Sequence, residues 1–213
     1  MMLRLYDSRY SGNSWKIRIL LNQLQRPFER HTLDLDEGDT KSPVFYKLNR
    51  FNRIPVLQLE DGRTVVESAA ILLYLSEGTP YLYDDPYLRS QVTGWMFFEQ
   101  GDLQRFIAQS RLYHLKGMAD QMSQEIEMLH TFGYAGLEKL ERWLGVQEWL
   151  VGEQYTVADL AVFAYASLAH QGRYEMDKFP NIQRWLKGVK SQRGWLDIFE
   201  HSSYQWRHLE ARD

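Results

Sequence analysis

Residues 49–75 read NRFNRIPVLQLEDGRTVVESAAILLYL. Two apolar runs, 54–59 and 64–66, flank Glu60-Asp61-Gly62-Arg63, and Asp-Gly between apolar runs is a strong hairpin signal. Pro55 suits the first position of a strand, where no ladder N–H is needed. Residues 68–76 then read as a helix, with Ser68 a natural N-cap residue, and Gly78 stops it. Strand, strand, helix is therefore the closing half of an α/β unit.

The opening half lies upstream. Residues 3–7 alternate apolar and polar, as a strand does. Over residues 14–25, Ile17, Leu20, Leu21 and Leu24 occupy the i, i+3, i+4, i+7 face of a helix. Residues 28–35 read as a second strand, 37–41 as a polar loop, and 43–48 as a short helix opening on Pro43. A strand–helix–strand unit implies a parallel pair with a right-handed crossover, and the hairpin adds an antiparallel pair. One mixed four-stranded sheet with helices on its faces satisfies both.

Downstream, TPYLYDDP at residues 79–86 carries two prolines and two aspartates and reads as a linker. Beyond it no stretch reads as a strand. Long helical patterns cover about 86–115, 120–144, 157–169 and 182–191. The expected class is α/β plus all-α, with domain 1–78, linker 79–86 and an all-helical domain 87–213. At Thr156-Val157-Ala158-Asp159 the pattern resembles a capping box, Asp standing in for Glu, and it is read as structural.

Composition narrows the function. The chain has 213 residues, ample for two domains. It has no cysteine, which excludes disulfides, zinc-thiolate sites, CxxC redox pairs and cysteine nucleophiles. The net charge is -3, without a dense Lys/Arg run, so no nucleic-acid partner is expected. The longest apolar run, 69–75, falls far short of the ~18 residues of a membrane span, and the N-terminus lacks the apolar stretch of a signal peptide. A cytoplasmic protein with no membrane partner is the expectation. None of His31, His114, His130, His170, His201 and His208 has zinc-ligand spacing with a partnered acid, so no metal is assigned.

Three local sites could carry chemistry. Ser11-Gly12-Asn13-Ser14 puts a hydroxyl, Ser11, beside a helix N-terminus, whose free N–H groups and dipole favour an anion. The same residues also suit plain N-capping by Asn13 or Ser14. Ile54-Pro55, if cis, would turn the Ile54 backbone out of the sheet towards an extended peptide; if trans, it only marks a strand start. Glu67-Ser68 can recognise an amino-acid head group, Ser68 holding the carboxylate and Glu67 the ammonium, or can simply cap and charge the helix.

These sites and the capping box occur in the order and spacing of the glutathione S-transferase superfamily, which the chain resembles over nearly its whole length. The stretches SGNSWKIRILL (11–21), the 49–75 segment and VGEQYTVADLAVFAY (151–165) carry the likeness. It looks most like bacterial members with serine at the active turn, and Ser-x-x-Ser-Trp-Lys-x-Arg is also similar to the zeta class. The resemblance implies a thioredoxin-like N-terminal domain and an all-helical C-terminal domain. It implies that Ser11 is the catalytic serine, donating to the glutathione thiolate. Ile54 would pair with the cysteinyl moiety ahead of a cis Pro55, and Glu67 and Ser68 would bind the γ-glutamyl head. Lys41, or Thr40 beside it, would meet the glycine carboxylate. Asn13 would lie next to the sulfur. Asn49-Arg50 departs from the family's Asn-Pro, and Asn52 stands where glycine or lysine is common; Arg50 and Arg53 then sit near the expected glutathione site, either to bind its carboxylates or simply to face solvent. Tyr10, Phe106 and Tyr113 are candidates to line an apolar pocket for the electrophile.

The implied activity is a glutathione transferase, a detoxification enzyme with glutathione as cosubstrate, no covalent cofactor, a hydrophobic electrophile as second substrate, and a homodimeric state. Two alternatives stand beside it. One is a glutathione-dependent disulfide reductase or cis–trans isomerase; the other is a non-catalytic interaction or stress module of the same fold.

Overall fold

The computed structural model describes residues 2–198 and the backbone of 204–205. The chain forms two compact units. The first holds residues 2–77 and the described residues after 192; the second holds 78–192.

In the first unit, β1 (Leu3–Asp7) is the central strand. It pairs in parallel with β2 (Phe28–Thr32) and antiparallel with β3 (Val56–Gln58), and β3 pairs antiparallel with β4 (Thr64–Val66). This is the expected mixed four-stranded sheet. The segment expected to be a strand over 54–59 enters the ladder only at Val56, one residue after Pro55, which has no N–H to give. The β3–β4 turn is closed by Leu59 N–H to Arg63 O at 2.8 Å, with Gly62 at φ +88°, a conformation that glycine adopts without strain. A two-residue strand, β5 (Tyr204–Gln205), extends the β2 edge in parallel. The sequence pattern contains no signal for it, because two residues are too short to show a period.

α1 (Gly12–Gln23) connects β1 to β2, α2 (Pro43–Leu48) precedes β3, and α3 (Ser68–Ser76) follows β4. On one side of the sheet Phe45 of α2 packs on Tyr6, Leu33 and Val56. The pleat sends Leu5 and Leu57, both fully buried, to the other side. α1 packs against α3. α1 is not half-exposed as its apolar stripe suggests: Lys16 and Arg18, which flank the stripe on opposite sides, are fully buried. The cover on the Arg18 side is the segment 193–198, assigned to the helical domain from the sequence but lying here against α1 within the first unit.

The second unit is helical throughout. α4 (Pro86–Phe98) runs through a wide π turn at Glu99–Gln104 into α5 (Arg105–Leu115), and α6 (Ser123–Leu144), α7 (Val157–Leu168) and α8 (Pro180–Lys190) follow. α7 is buried at every residue but Ser167, as its nearly all-apolar sequence requires of a central helix. Among the described residues no helix is long and apolar enough to cross a membrane, and no cluster of His, Asp and Glu could hold a metal ion. His201 and His208 lie outside the described residues.

Candidate functional site

Ser11 is itself the N-cap of α1. Its backbone is extended, its Oγ accepts the Ser14 N–H at 3.1 Å, and its carbonyl accepts the Trp15 N–H at 3.0 Å. This corrects the sequence-level alternative in which Asn13 or Ser14 caps the helix; both lie inside the first turn. The cap bond uses a lone pair of Ser11 Oγ and leaves the hydroxyl proton. Among the described residues no acceptor takes that proton, and Ser11 is only partly buried. A hydroxyl held by a backbone amide, with its own O–H left to donate beside a helix N-terminus, can serve an anion placed there.

Asn13 is brought to the second site. Its Oδ1 accepts the Ser68 hydroxyl at 3.3 Å, so its Nδ2 hydrogens remain to donate. That bond joins the first turns of α1 and α3, placing two helix N-termini and their orphan N–H groups side by side. Ser68 does not cap α3 as expected. It is the first helical residue, and Glu67 occupies the cap position at φ +69°, ψ 122° without a side-chain cap bond. A non-glycine residue at positive φ holds a sparsely populated conformation, the kind that clusters at ligand clamps. It leaves the Glu67 side chain exposed while Ser68 is buried.

The Ile54–Pro55 bond is cis, as the resemblance implied. Ile54 lies beyond the β1–β3 and β3–β4 ladders, which begin at Val56. The loop before it is organised by Asn49, which sequence reading noted only as a departure. Its buried amide donates to Arg53 O at 2.6 Å and accepts the Phe51 N–H at 2.9 Å, while Asn52 takes φ +53°. Asn49 is adjacent in sequence to this turn and short enough to bond its own backbone, which was the available signal. The Arg50 guanidinium stacks on Phe51 at 4.4 Å, and Arg53 and Lys41 are exposed without an ion-pair partner among the described residues.

Behind the first turn sits a buried charge cluster that the sequence did not reveal. Asp7, the last residue of β1, receives Arg30 Nε at 2.8 Å and Thr32 Oγ1 at 3.1 Å, with Arg18 Nε at 3.3 Å. Burial raises the Asp7 carboxyl above its ordinary value, while Arg30 and Arg18 pull it back down.

The three pocket candidates fall on both units. Tyr10, in the first, is 56% exposed in the turn ahead of Ser11. Phe106 and Tyr113, in the second, lie two turns apart on α5; Phe106 stacks on Phe132 at 5.2 Å and Tyr113 is buried. An open groove of about 570 Å³ in the helical unit is lined by other residues, among them Tyr134, Arg142 and Lys178.

Residues 10–77 match the family model for the glutathione S-transferase N-terminal domain, and residues 114–192 match that for the C-terminal domain. A crystal structure of a glutathione S-transferase from Pseudomonas fluorescens Pf-5 superposes with a TM-score of 0.92 at 37% identity, covering 94% of this chain and 100% of that one. Glutathione S-transferase D7 of Drosophila melanogaster is 28% identical over 93% of this chain and 89% of its own. The disulfide-bond oxidoreductase YfcG of Escherichia coli K12 is 27% identical over 90% and 91% respectively.

Proposed function

The chain belongs to the glutathione S-transferase family, and from that premise we propose that it binds glutathione in its first unit and activates the thiol for attack on an electrophilic small molecule. The observation that carries the reading is the pairing of Ser11, capped by the Ser14 amide with its proton free, and the Asn13–Ser68 bond that sets two helix N-termini together.

The roles follow from chemistry. The glutathione sulfur sits at the start of α1, where the Ser11 O–H and the Asn13 amide donate to it. A helix terminus stabilises an anion by up to ~2 kcal/mol in a partly buried site, which lowers a thiol of pKa ~8.5 by one to two units. The Ile54 backbone pairs with the cysteinyl moiety, with Pro55 fixing the turn beside it. The Ser68 N–H receives the γ-glutamyl carboxylate and Glu67 its ammonium. Lys41 and Arg53 meet the glycine carboxylate. The thiolate then forms the S–C bond as the leaving group departs, or as water protonates the adduct. The protein supplies positioning and charge stabilisation, and glutathione is cosubstrate, with no covalent cofactor.

A second reading keeps the same site. Asn13, with its amide hydrogens facing away from Ser68, can donate to either sulfur of a disulfide, and the likeness to YfcG supports glutathione-dependent disulfide reduction. We place the protein in the cytoplasm, acting as a homodimer in detoxification. A panel of an aryl halide, a disulfide and a maleyl-type substrate, each with glutathione, separates the activities. Glutathione binding by calorimetry tests what they share: a chain that does not bind glutathione overturns the proposal.

A further inference from the structure

Trp15, Arg18 and Asn22 lie along one side of α1, and each donates to a carbonyl about 180 residues away in sequence. Asn22 Nδ2 reaches Gly194 O at 3.0 Å, Trp15 Nε1 reaches Leu196 O at 2.9 Å, and Arg18 Nη2 reaches Ile198 O at 2.8 Å. The segment 194–198 thus lies over this side of α1 as a strap, held through three of its carbonyls. Trp15 and Trp195 meet edge to face at 5.4 Å. The strap starts at Gly194, at φ +79°, where a Cβ would stand 2.9 Å from Gln23 Cα. Only glycine allows both that backbone conformation and that approach.

The contacts lead to the turn that bears Ser11. Trp15 follows it by one helical turn and is bonded to its carbonyl. Arg18 joins the strap to Asp7, and both side chains are fully buried. Asp7 ends β1, and the Ser11 N–H is bonded to Ser8 O within the same turn. The turn is thus held between a strand end and a helix that Arg18 ties together and the strap clamps. Ile54, Glu67 and Ser68 sit on the β3 and α3 segments, Ser68 meeting α1 through Asn13.

We propose that the C-terminal strap at residues 194–198 is a positioning device for Ser11, holding the α1 N-terminus where it stabilises the thiolate, with Gly194, Trp15 and Arg18 as positioning residues. This rests on the glutathione reading above. It makes the strap act on thiol activation and not on retention of the peptide.

The test uses the full chain. In Gly194→Ala the thiol pKa of bound glutathione, read by thiolate absorbance, should rise by about one unit. The pH profile of kcat should shift with it, and kcat at pH 6.5 should fall about tenfold, while KM for glutathione stays within about twofold. Should Gly194→Ala fail to fold by circular dichroism, Trp15→Phe and Asn22→Ala each remove one strap bond and should shift the thiol pKa the same way by less. A lower melting temperature with an unchanged thiol pKa is the outcome of a merely structural strap and overturns the inference. A wild-type chain that leaves the bound thiol at its free pKa overturns the glutathione reading as well. A wild-type chain that lowers it, matched by every folded variant, overturns the strap alone.

Discussion

At the scale of single residues, the proposed site assigns activation to Ser11 and binding to Ser68. Ser11 Oγ is fixed by the Ser14 amide; on the proposed reading its removal takes a donor from the sulfur and leaves the peptide's other anchors in place. A hydrogen bond to a charged group contributes about 1.5–3 kcal/mol. Ser11→Ala should therefore lower kcat by about ten- to a hundredfold and raise the bound thiol pKa, with little change in the glutathione dissociation constant measured by calorimetry. Glu67→Ala with Ser68→Ala should do the reverse, weakening glutathione about tenfold or more. Unchanged affinity in that double variant would remove the γ-glutamyl assignment. The positive φ at Glu67 adds weight, because a conformation disfavoured for a glutamate has to be held by what surrounds it.

At the scale of elements, α7 shows how a capping motif grows into something larger. The capping box expected at Thr156 and Asp159 is present, with Thr156 N–H on Asp159 Oδ2 at 2.9 Å. The same carboxylate also accepts the Leu150 N–H and the Trp185 indole N–H, each at 2.9 Å, and the Thr156 hydroxyl. A lost cap costs about 1 kcal/mol. Here buried donors from two further segments lose their acceptor, so Asp159→Ala should cost about 3 kcal/mol or more by denaturant melts, with glutathione affinity in the folded fraction near normal.

The same site gives a pH dependence. Burial raises the Asp159 carboxyl from 3.8 to about 6 against the pull of Trp185, Leu150 and Thr156. Because the folded value is the higher one, the proton stabilises the fold fully below pH 3.8, and that contribution is lost as pH rises through about 6. At 1.36 kcal/mol per unit the loss by pH 7 is about 3 kcal/mol. The stability difference between wild type and Asp159→Asn should therefore shrink in the wild type's disfavour between pH 4 and 7; a flat difference would refute the shift.

At the scale of the whole molecule, a homodimer is the expected state, by analogy with the symmetric pairing of subunits in this family. Trp95, Phe97 and Phe98 stand together at the end of α4. Trp95 packs on Phe98 and Trp143 within its own unit, whereas Phe97 is 73% exposed. Phe97 is thus the residue to test. Light scattering at micromolar concentration should give twice the chain mass, and Phe97→Glu should shift it towards one. A wild-type monomer would end the expectation.

Local sequence determined the elements and the order of the candidate site residues. Asp61-Gly62 specified the hairpin, the apolar periodicities specified α1 and the helical half, and Thr156–Asp159 specified the start of α7, because each depends on neighbours within a turn or two. Ser11, Ile54 and Glu67-Ser68 stood out as candidates for the same reason, each lying at or just before the start of an element. Tertiary structure decided what no local window contains. Arg18 reads as solvent-facing on an amphipathic helix, yet it is fully buried because Asp7 and the strap, respectively 11 positions before and about 180 after it, meet there. Asn13 reads as a cap until Ser68 arrives from 55 residues away to orient its amide. Burial of a charge is stable only when its partners converge, and convergence is a property of the folded chain.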